Sequence, residues 1–460
     1  MVQHNGEVSY WYRQTGMPAR RKPLDGDRDA DVCIVGAGFT GLWTAYYLKR
    51  ARPDLEIVVV EREFAGFGAS GRNGGWVSDH FAGSREVMAQ SHGRDSVLAL
   101  QREMRATVDE VIAVCAREGI AADLVKSGKL IVARTSAQDA RLDAFVAEAR
   151  DWGSSWEDIA LVEAGELEDR IHIAGARRAV FSPHAARAQP ARLVTGLAAA
   201  VERLGVKIFE GTAVKTLNPG VVTTICGQVR ARSVLACLEG YTAQLDGHSR
   251  SVLPLNSAIV VTAPLNDAQW DAIGWGGNEL VSDGAHSGVY LQRTSDGRIA
   301  LGGRGVPYRF GSRTDRAGET QQTTIKQLIE ALRSLFPAVT DADIDHAWCG
   351  VLGVHRDWIP RVAYDRTTGL GSAGGYVGSG VAGTNLAGRM LRDLVLETQS
   401  ELTRLPWVRA QARKWEPEPL RWAGAHLVFG LYKAADRCES ATEESKASIF
   451  ARCADLISGR

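Results

Sequence analysis

Residues 30–63 read ADVCIVGAGFTGLWTAYYLKRARPDLEIVVVERE, and the order of patterns inside this stretch decides the fold. An apolar run from Val32 to Val35 meets a glycine-rich turn. A helix-period segment follows as far as Leu48, Pro53 breaks it, and a second apolar run, Ile57 to Val60, ends in an acid. Strand, helix and strand within about 30 residues is the span that a parallel crossover needs. Gly36, Gly38 and Gly41 form G-x-G-x-x-G, with Ala37 and Thr40 between them, at the junction of first strand and helix. The three glycines there serve different ends. The first turns tightly, the second lets a pyrophosphate reach the backbone, and the third lets helix and strand pack closely. The helix N-terminus adds free N–H groups and the positive end of a dipole. Glu61, twenty residues past Gly41, stands where a carboxylate accepts hydrogen bonds from a ribose. These features predict an α/β fold with a Rossmann-like dinucleotide-binding domain.

The composition is compatible with that fold and excludes several others. Lys plus Arg and Asp plus Glu both number 54, which removes the electrostatic case for a nucleic-acid binder. Seven cysteines lie far apart with no CxxC pair, a pattern that predicts a reducing compartment and no structural zinc site. No apolar run approaches the roughly 20 residues that span a bilayer, and the first residues, MVQHNGEVSYWYRQTG, lack the pattern of a secretory signal. The expectation is a cytoplasmic protein without an integral membrane segment and without a metal.

Downstream, residues 96–118 carry apolar side chains at helical spacing. GKLIVART reads as a strand, 139–150 as a helix, and PARLVTGLAAAVERLG as a helix with Pro190 in its first turn. From 252 to 310 the runs NSAIVVTAPL, GVYLQRT and RIALGGR, separated by turn residues, predict an antiparallel sheet. The remainder reads as a helix to Pro337, a strand ending near Trp348, a loop GVLGVHRDWIPRV, and a late helix. The expected organisation is an N-terminal extension (1–29), a first part of the cofactor domain (30–95), a mixed segment (96–250), a mainly β substrate domain (251–345), the last part of the cofactor domain (346–398) and a helical tail (399–460). AGAHLVFGLYKAADR in the tail has an apolar side that suits packing on the body or on a second copy.

The fingerprint alone does not separate NAD from FAD, but two further stretches bear on it. GFGASGRNGG, residues 66–75, holds five glycines in ten positions just after Glu61. So bare a backbone either makes a flexible surface loop or lets a ligand approach closely; with Ser70 and Arg72 as phosphate-directed donors, it suits a long cofactor lying extended through the protein. GGYVGSGVAGTNLAG, near residue 380, is a second glycine-rich entry to a helix, whose N-terminus favours negative charge on the pyrimidine end of a flavin.

With these blocks assembled, the chain resembles the D-amino-acid oxidase-like superfamily of FAD-dependent oxidoreductases, in the branch of γ-glutamylputrescine oxidase and related amine or amino-acid oxidases. The resemblance covers roughly residues 30–397 and rests on VCIVGAGFTGLWTAYYL, VVVERE, GASGRNGG, VYLQRTSDGRIALGGR, HAWCGVLGVHRDWIP and GLGSAGGYVGSGVAGTNLAGRMLRDL. It implies FAD held by Gly36, Gly38, Gly41, Glu61 and Arg62 at the ADP part. Ser70, Gly71, Arg72, Asn73, Gly74 and Gly75 fall along the pyrophosphate and isoalloxazine, Val214 at the adenine, and Gly380, Val381 and Ala382 at the flavin O2. Some relatives attach flavin through a cysteine; Gly350 aligns with it, beside Cys349, so noncovalent FAD is expected. For substrate, the resemblance points to Tyr290, Arg293 and Arg304, to the loop of His355, Arg356, Asp357 and Trp358, and to Trp76 and His80, with His355 as a group able to accept a proton near neutral pH. The implied reaction is oxidation of a C–N bond in a small amine or amino acid, with O2 or another acceptor taking the electrons. Oxidation of a 2-hydroxy acid, or a flavin-binding protein without catalysis, remains open at this point, because one fold hosts many functions. A homo-oligomer is compatible with the sequence.

Overall fold

The computed structural model describes residues 2–303, 308–409, 413–442 and 444–458. Arg28–Val35 and Ile57–Val60 pair in parallel across the helix Phe39–Ala51, as the opening motif predicts. Lys207–Phe209, Gln228–Ala236 and Leu370–Gly374 extend this parallel sheet. Arg361–Asp365 adds an antiparallel edge, and the hairpin Val214–Asn218 with Val221–Thr224 joins Gln228–Ala236. All four residues of Ile57–Val60 are buried because both faces of the sheet are covered. On one face lie Phe39–Ala51, Arg94–Glu118, Pro190–Arg203 and Gly380–Val395; on the other, Cys33, Val35, Val58 and Val60 pack with Val222 and Val229. Gly388 lets Gly380–Val395 press against Phe39–Ala51, since a Cβ there would lie 2.9 Å from the Trp43 backbone.

Among the described residues a second sheet has nine strands, mostly antiparallel. It runs from His4–Asn5 through Ile344–Val354, Leu253–Thr262, Ile299–Gly303, Val289–Arg293, Leu280–Asp283, Lys129–Ala133 and Arg178–Ser182 to Ala160–Val162. One face buries Val260, Leu291 and Leu301 under the helix Gln322–Leu335. The register sets Tyr290 beside Ser282 and Ser282 beside Ile131, so by the two-residue period of a strand these three share a face. Tyr290 packs against Gly74 of the glycine-rich loop, which fixes that face as the one turned to the parallel sheet.

The described residues of the N-terminal extension pack into the body: the helix Tyr10–Thr15 buries Tyr10, Trp11 and Tyr12, and His4–Asn5 pairs with Ile344–Val354. Six residues carry too little periodicity to announce a helix, and three consecutive aromatics bury themselves by contact. The stretch GVLGV, expected in a loop, continues the strand Ile344–Val354, paired along its length with Leu253–Thr262. The tail holds a longer helix, Leu420–Thr442, and a second, Ile449–Ser458. Among the described residues no helix is long and apolar enough to cross a membrane.

Candidate active site

A cavity of about 730 Å³ opens at the C-terminal edge of the parallel sheet and passes between it and the second sheet. Gly36, with φ +104°, turns the chain where an added Cβ would strike the Cys237 carbonyl at 2.6 Å, and a Cβ on Gly41 would come within 2.0 Å of the carbonyl oxygen of Gly36 itself. Gly38 differs: it lines the cavity, and a Cβ there meets only Ser70 Oγ, at 3.0 Å. The Phe39 N–H, at the start of its helix, donates to the same Ser70 Oγ at 2.8 Å. Glu61 also lines the cavity, accepting from the N–H groups of Ala37 and Glu63 at 2.9 Å each, and burial raises its pKa. Arg62 bonds Gln244 beside Tyr241, and Val214 lines the cavity.

The loop 66–75 is held from beneath. Ser9 Oγ donates to the Gly71 carbonyl, Trp348 Nε1 to that of Arg72 and Trp11 Nε1 to that of Asn73, each at 2.8 Å. Asn73 ties the turn internally through the Ser70 carbonyl and the Gly75 N–H. Its glycines allow close packing as well as ligand approach: a Cβ on Gly71 would lie 2.5 Å from the Tyr12 ring, one on Gly74 2.5 Å from Tyr290, and one on Gly75 2.2 Å from the Ala188 carbonyl. Arg72, expected as a phosphate-directed donor, lines the cavity, but most of its side chain is engaged by the protein. Its side chain is fully buried, paired with Asp315 at 2.7 Å, bonded to the Phe67 carbonyl and stacked over the Phe67 ring. A buried guanidinium needs a buried partner, and Asp315 supplies it.

At the far end, Gly380 and Val381 line the cavity at the N-terminus of their helix, with Ala382 buried one residue further in. The Tyr376 hydroxyl reaches Thr40 Oγ1 at 3.2 Å and so joins the two helix entrances. Between them lies Glu239, which sequence reasoning misses. Its carboxylate accepts from the N–H groups of Gly353 at 2.9 Å and Gly375 at 2.7 Å, and burial pushes its pKa up to about 7. Cβ atoms on Gly353 and Gly374 would stand 3.3 and 3.0 Å from that carboxylate, so the glycines make room for it. An acid just past a buried strand, as in Glu61, is the signal that marks this position.

The substrate candidates divide. Tyr290 lines the cavity, its hydroxyl 3.0 Å from Ser257 Oγ and its ring edge-on to Trp76, while Trp76 and His80 line it too. Arg293 does not: it bonds the Trp275 carbonyl and lies over the Trp270 ring. His355 does not either. Its ring packs behind Gly375, with Nδ1 3.4 Å from the Ser251 carbonyl, and burial together with Arg361 pushes its pKa down to about 4. Arg356 pairs with Glu416, Asp357 with Arg361, and Trp358 joins a buried cluster with Leu253 and Val354. Arg304 lies outside the described residues. Gly350 lines the cavity, whereas the adjacent Cys349 is buried away from it, its thiol bonded to the Glu319 carbonyl and pushed up to about 12 by burial.

An acid at one end, bare backbone in the middle and a helix N-terminus at the other end define a site for an extended dinucleotide. Residues 31–394 match the family described as DAO, FAD dependent oxidoreductase, and the chain belongs to that family. Its cofactor is FAD, and Gly38, where a side chain would enter the cavity wall, is the feature of this chain that fits it. The gamma-glutamylputrescine oxidoreductase of Escherichia coli is 27% identical over 400 residues, covering 86% of this chain and 90% of that one. The probable oxidoreductase OrdL of Rhizobium meliloti is 28% identical, covering 93% and 97%. Among solved structures, glycine oxidase from Geobacillus kaustophilus superposes with a TM-score of 0.70 at 22% identity, over 84% of this chain and all of that one.

Proposed function

We propose that this oxidoreductase oxidises the C–N bond of a small amine or amino acid, with O2 as the acceptor, in a reducing compartment that suits its free cysteines. The observation that carries the reading is continuity: Gly38, Ser70 and Val381, which would hold FAD, line the same cavity as Trp76 and Tyr290. The activities of relatives, gamma-glutamylputrescine oxidoreductase and glycine oxidase, support a nitrogen substrate. FAD held by Gly38, Ser70 and Val381 would supply an acceptor for the substrate's α-hydrogen as hydride, and the imine left behind would be hydrolysed by water to a carbonyl compound and ammonia or a smaller amine.

The chain's own part is placement and charge. Tyr290, fixed by Ser257, and Trp76 form a rigid aromatic corner that orients substrate. The N-terminus of Gly380–Val395 favours negative charge arising at the end of the cavity it faces. Arg293 and His355 do not line the cavity, and this reading gives them no contact with substrate.

The test is a visible spectrum of the purified protein before and after acid precipitation, followed by anaerobic titration with amines, amino acids and hydroxy acids. Flavin bands that leave with the supernatant and bleach with an amine or amino acid are the expected result, with peroxide released on admitting O2. Bands that stay with the precipitate would overturn noncovalent binding, and bleaching by a hydroxy acid alone would overturn the C–N assignment.

A further inference from the structure

The matched family region ends at residue 394, yet a side chain from beyond it reaches the cavity: Phe429, on the helix Leu420–Thr442, is part of the lining. It is 9% exposed and belongs to a buried cluster with Leu253, Leu255 and Val377. Leu255 and Val377 line the cavity as well. Three or four residues apart along the same helix come Tyr432, Asp436 and Glu439, the spacing of one helical face. That face grips the loop 284–288. The N–H groups of His286 and Ser287 donate to the two Asp436 oxygens at 2.8 and 2.9 Å, and the His286 ring stacks on Tyr432. Glu439, 3% exposed, accepts from Arg141 at 2.7 Å and lies 3.0 Å from His286 Nε2. The gripped loop is itself cavity wall, through Ala285, His286 and Gly288.

His286, Asp436 and Glu439 stand close enough together to suggest a cation site. Arg141 already answers Glu439, and backbone amides occupy both Asp436 oxygens, so the group works as a clamp. Further back, Trp415 Nε1 donates to the Val354 carbonyl and Arg421 to that of Ser249, fastening the segment that leads into the helix.

We propose that the helix Leu420–Thr442 completes the substrate end of the cavity and that Phe429 is a specificity-determining residue, limiting the length of the apolar substituent a substrate carries. The inference rests on the amine-oxidation reading for the identity of the substrate, but not for the closure of the cavity. A clamp of hydrogen bonds on one side of Phe429 and an apolar cluster on the other hold the ring at a fixed distance from the cofactor end. A longer substituent must displace it or stop short.

The FAD-loaded enzyme tests this with Phe429→Ala, Phe429→Trp and the clamp variant Asp436→Asn/Glu439→Gln, each first checked for unchanged flavin content. Flavin reduction is followed with n-alkylamines from ethylamine to decylamine, and flavin accessibility with iodide quenching of its fluorescence. In wild type, affinity is expected to rise with chain length and then break off. In Phe429→Ala the break moves to longer chains, with affinity gained about fourfold for each further methylene; in Phe429→Trp it moves to shorter ones. Iodide quenching rises several-fold in Phe429→Ala and in the clamp variant. Should neither these alkylamines nor linear 2-amino acids of the same chain lengths reduce the wild type, the C–N reading fails while quenching still decides the closure. Identical chain-length profiles in all variants overturn the role of Phe429, and unchanged quenching overturns the closure.

Discussion

Glu239 holds a carboxylate among backbone amides, and among the described residues no Lys, Arg or His pairs with it. Burial therefore dominates, and the native protein keeps a proton up to about pH 7 that the unfolded chain releases near pH 4.5. Between those values the native state binds more protons, so this residue's contribution to stability falls as pH rises and is spent by about pH 7, a change on the order of 3 kcal/mol. In FAD-free protein, the difference in melting temperature between wild type and Glu239→Gln is expected to shift against wild type from pH 5 to pH 8; a difference constant across that range would remove Glu239 from the cause. Glu61 is legible in the sequence through its distance from the glycines, whereas Glu239 shows there only as an acid past a buried strand, because its partners Gly353 and Gly375 lie more than a hundred residues away. For the same reason the sequence places Arg72 at the cavity but does not reveal its buried ion pair. Its partner Asp315 comes from another sheet's connection, which no local pattern reveals.

At the scale of elements, the strand, helix, strand unit was legible because period and punctuation agree over thirty residues, whereas the helix Tyr10–Thr15 was not. Its importance comes from what it touches. Trp11 is 1% exposed, donates to the Asn73 carbonyl and meets Trp348 edge-on, while Tyr12 fills the space left by Gly66 and Gly71. This helix is the floor on which the glycine-rich loop is shaped, so the bareness of residues 66–75 serves the protein beneath as much as the ligand above. Trp11→Ala is expected to cost about 3–5 kcal/mol by the cavity it opens. Loss of its hydrogen bond should also weaken FAD retention. Denaturant unfolding checks the first effect, and the ratio of flavin to protein absorbance after dialysis checks the second. A variant destabilised by this amount but as yellow as wild type would show that the loop keeps its shape without its floor.

Across the whole molecule, the cavity is walled by segments far apart in sequence: the 36–41 turn, the 66–75 loop, Val214, Glu239, the strand Leu253–Thr262 and the entrance to Gly380–Val395. The two large sheets meet there, the parallel one through its C-terminal edge and the second through Tyr290 and Leu255. A ligand filling that space bridges both, so FAD is expected to act as part of the fold. By linkage, free FAD at 100 times its dissociation constant adds about 2.7 kcal/mol to the folded state, and each further tenfold adds about 1.4 kcal/mol. Scanning calorimetry of FAD-free protein should give a low transition temperature that keeps rising with the logarithm of added FAD well past saturation. NAD at the same concentrations should raise it far less, because it shares only the 36–61 cradle and gains nothing from the helix N-terminus at residue 380 or the loop at 66–75. A rise with NAD equal to that with FAD would mean that only the 36–61 cradle binds, and that the far half of the cavity contributes nothing to holding the cofactor.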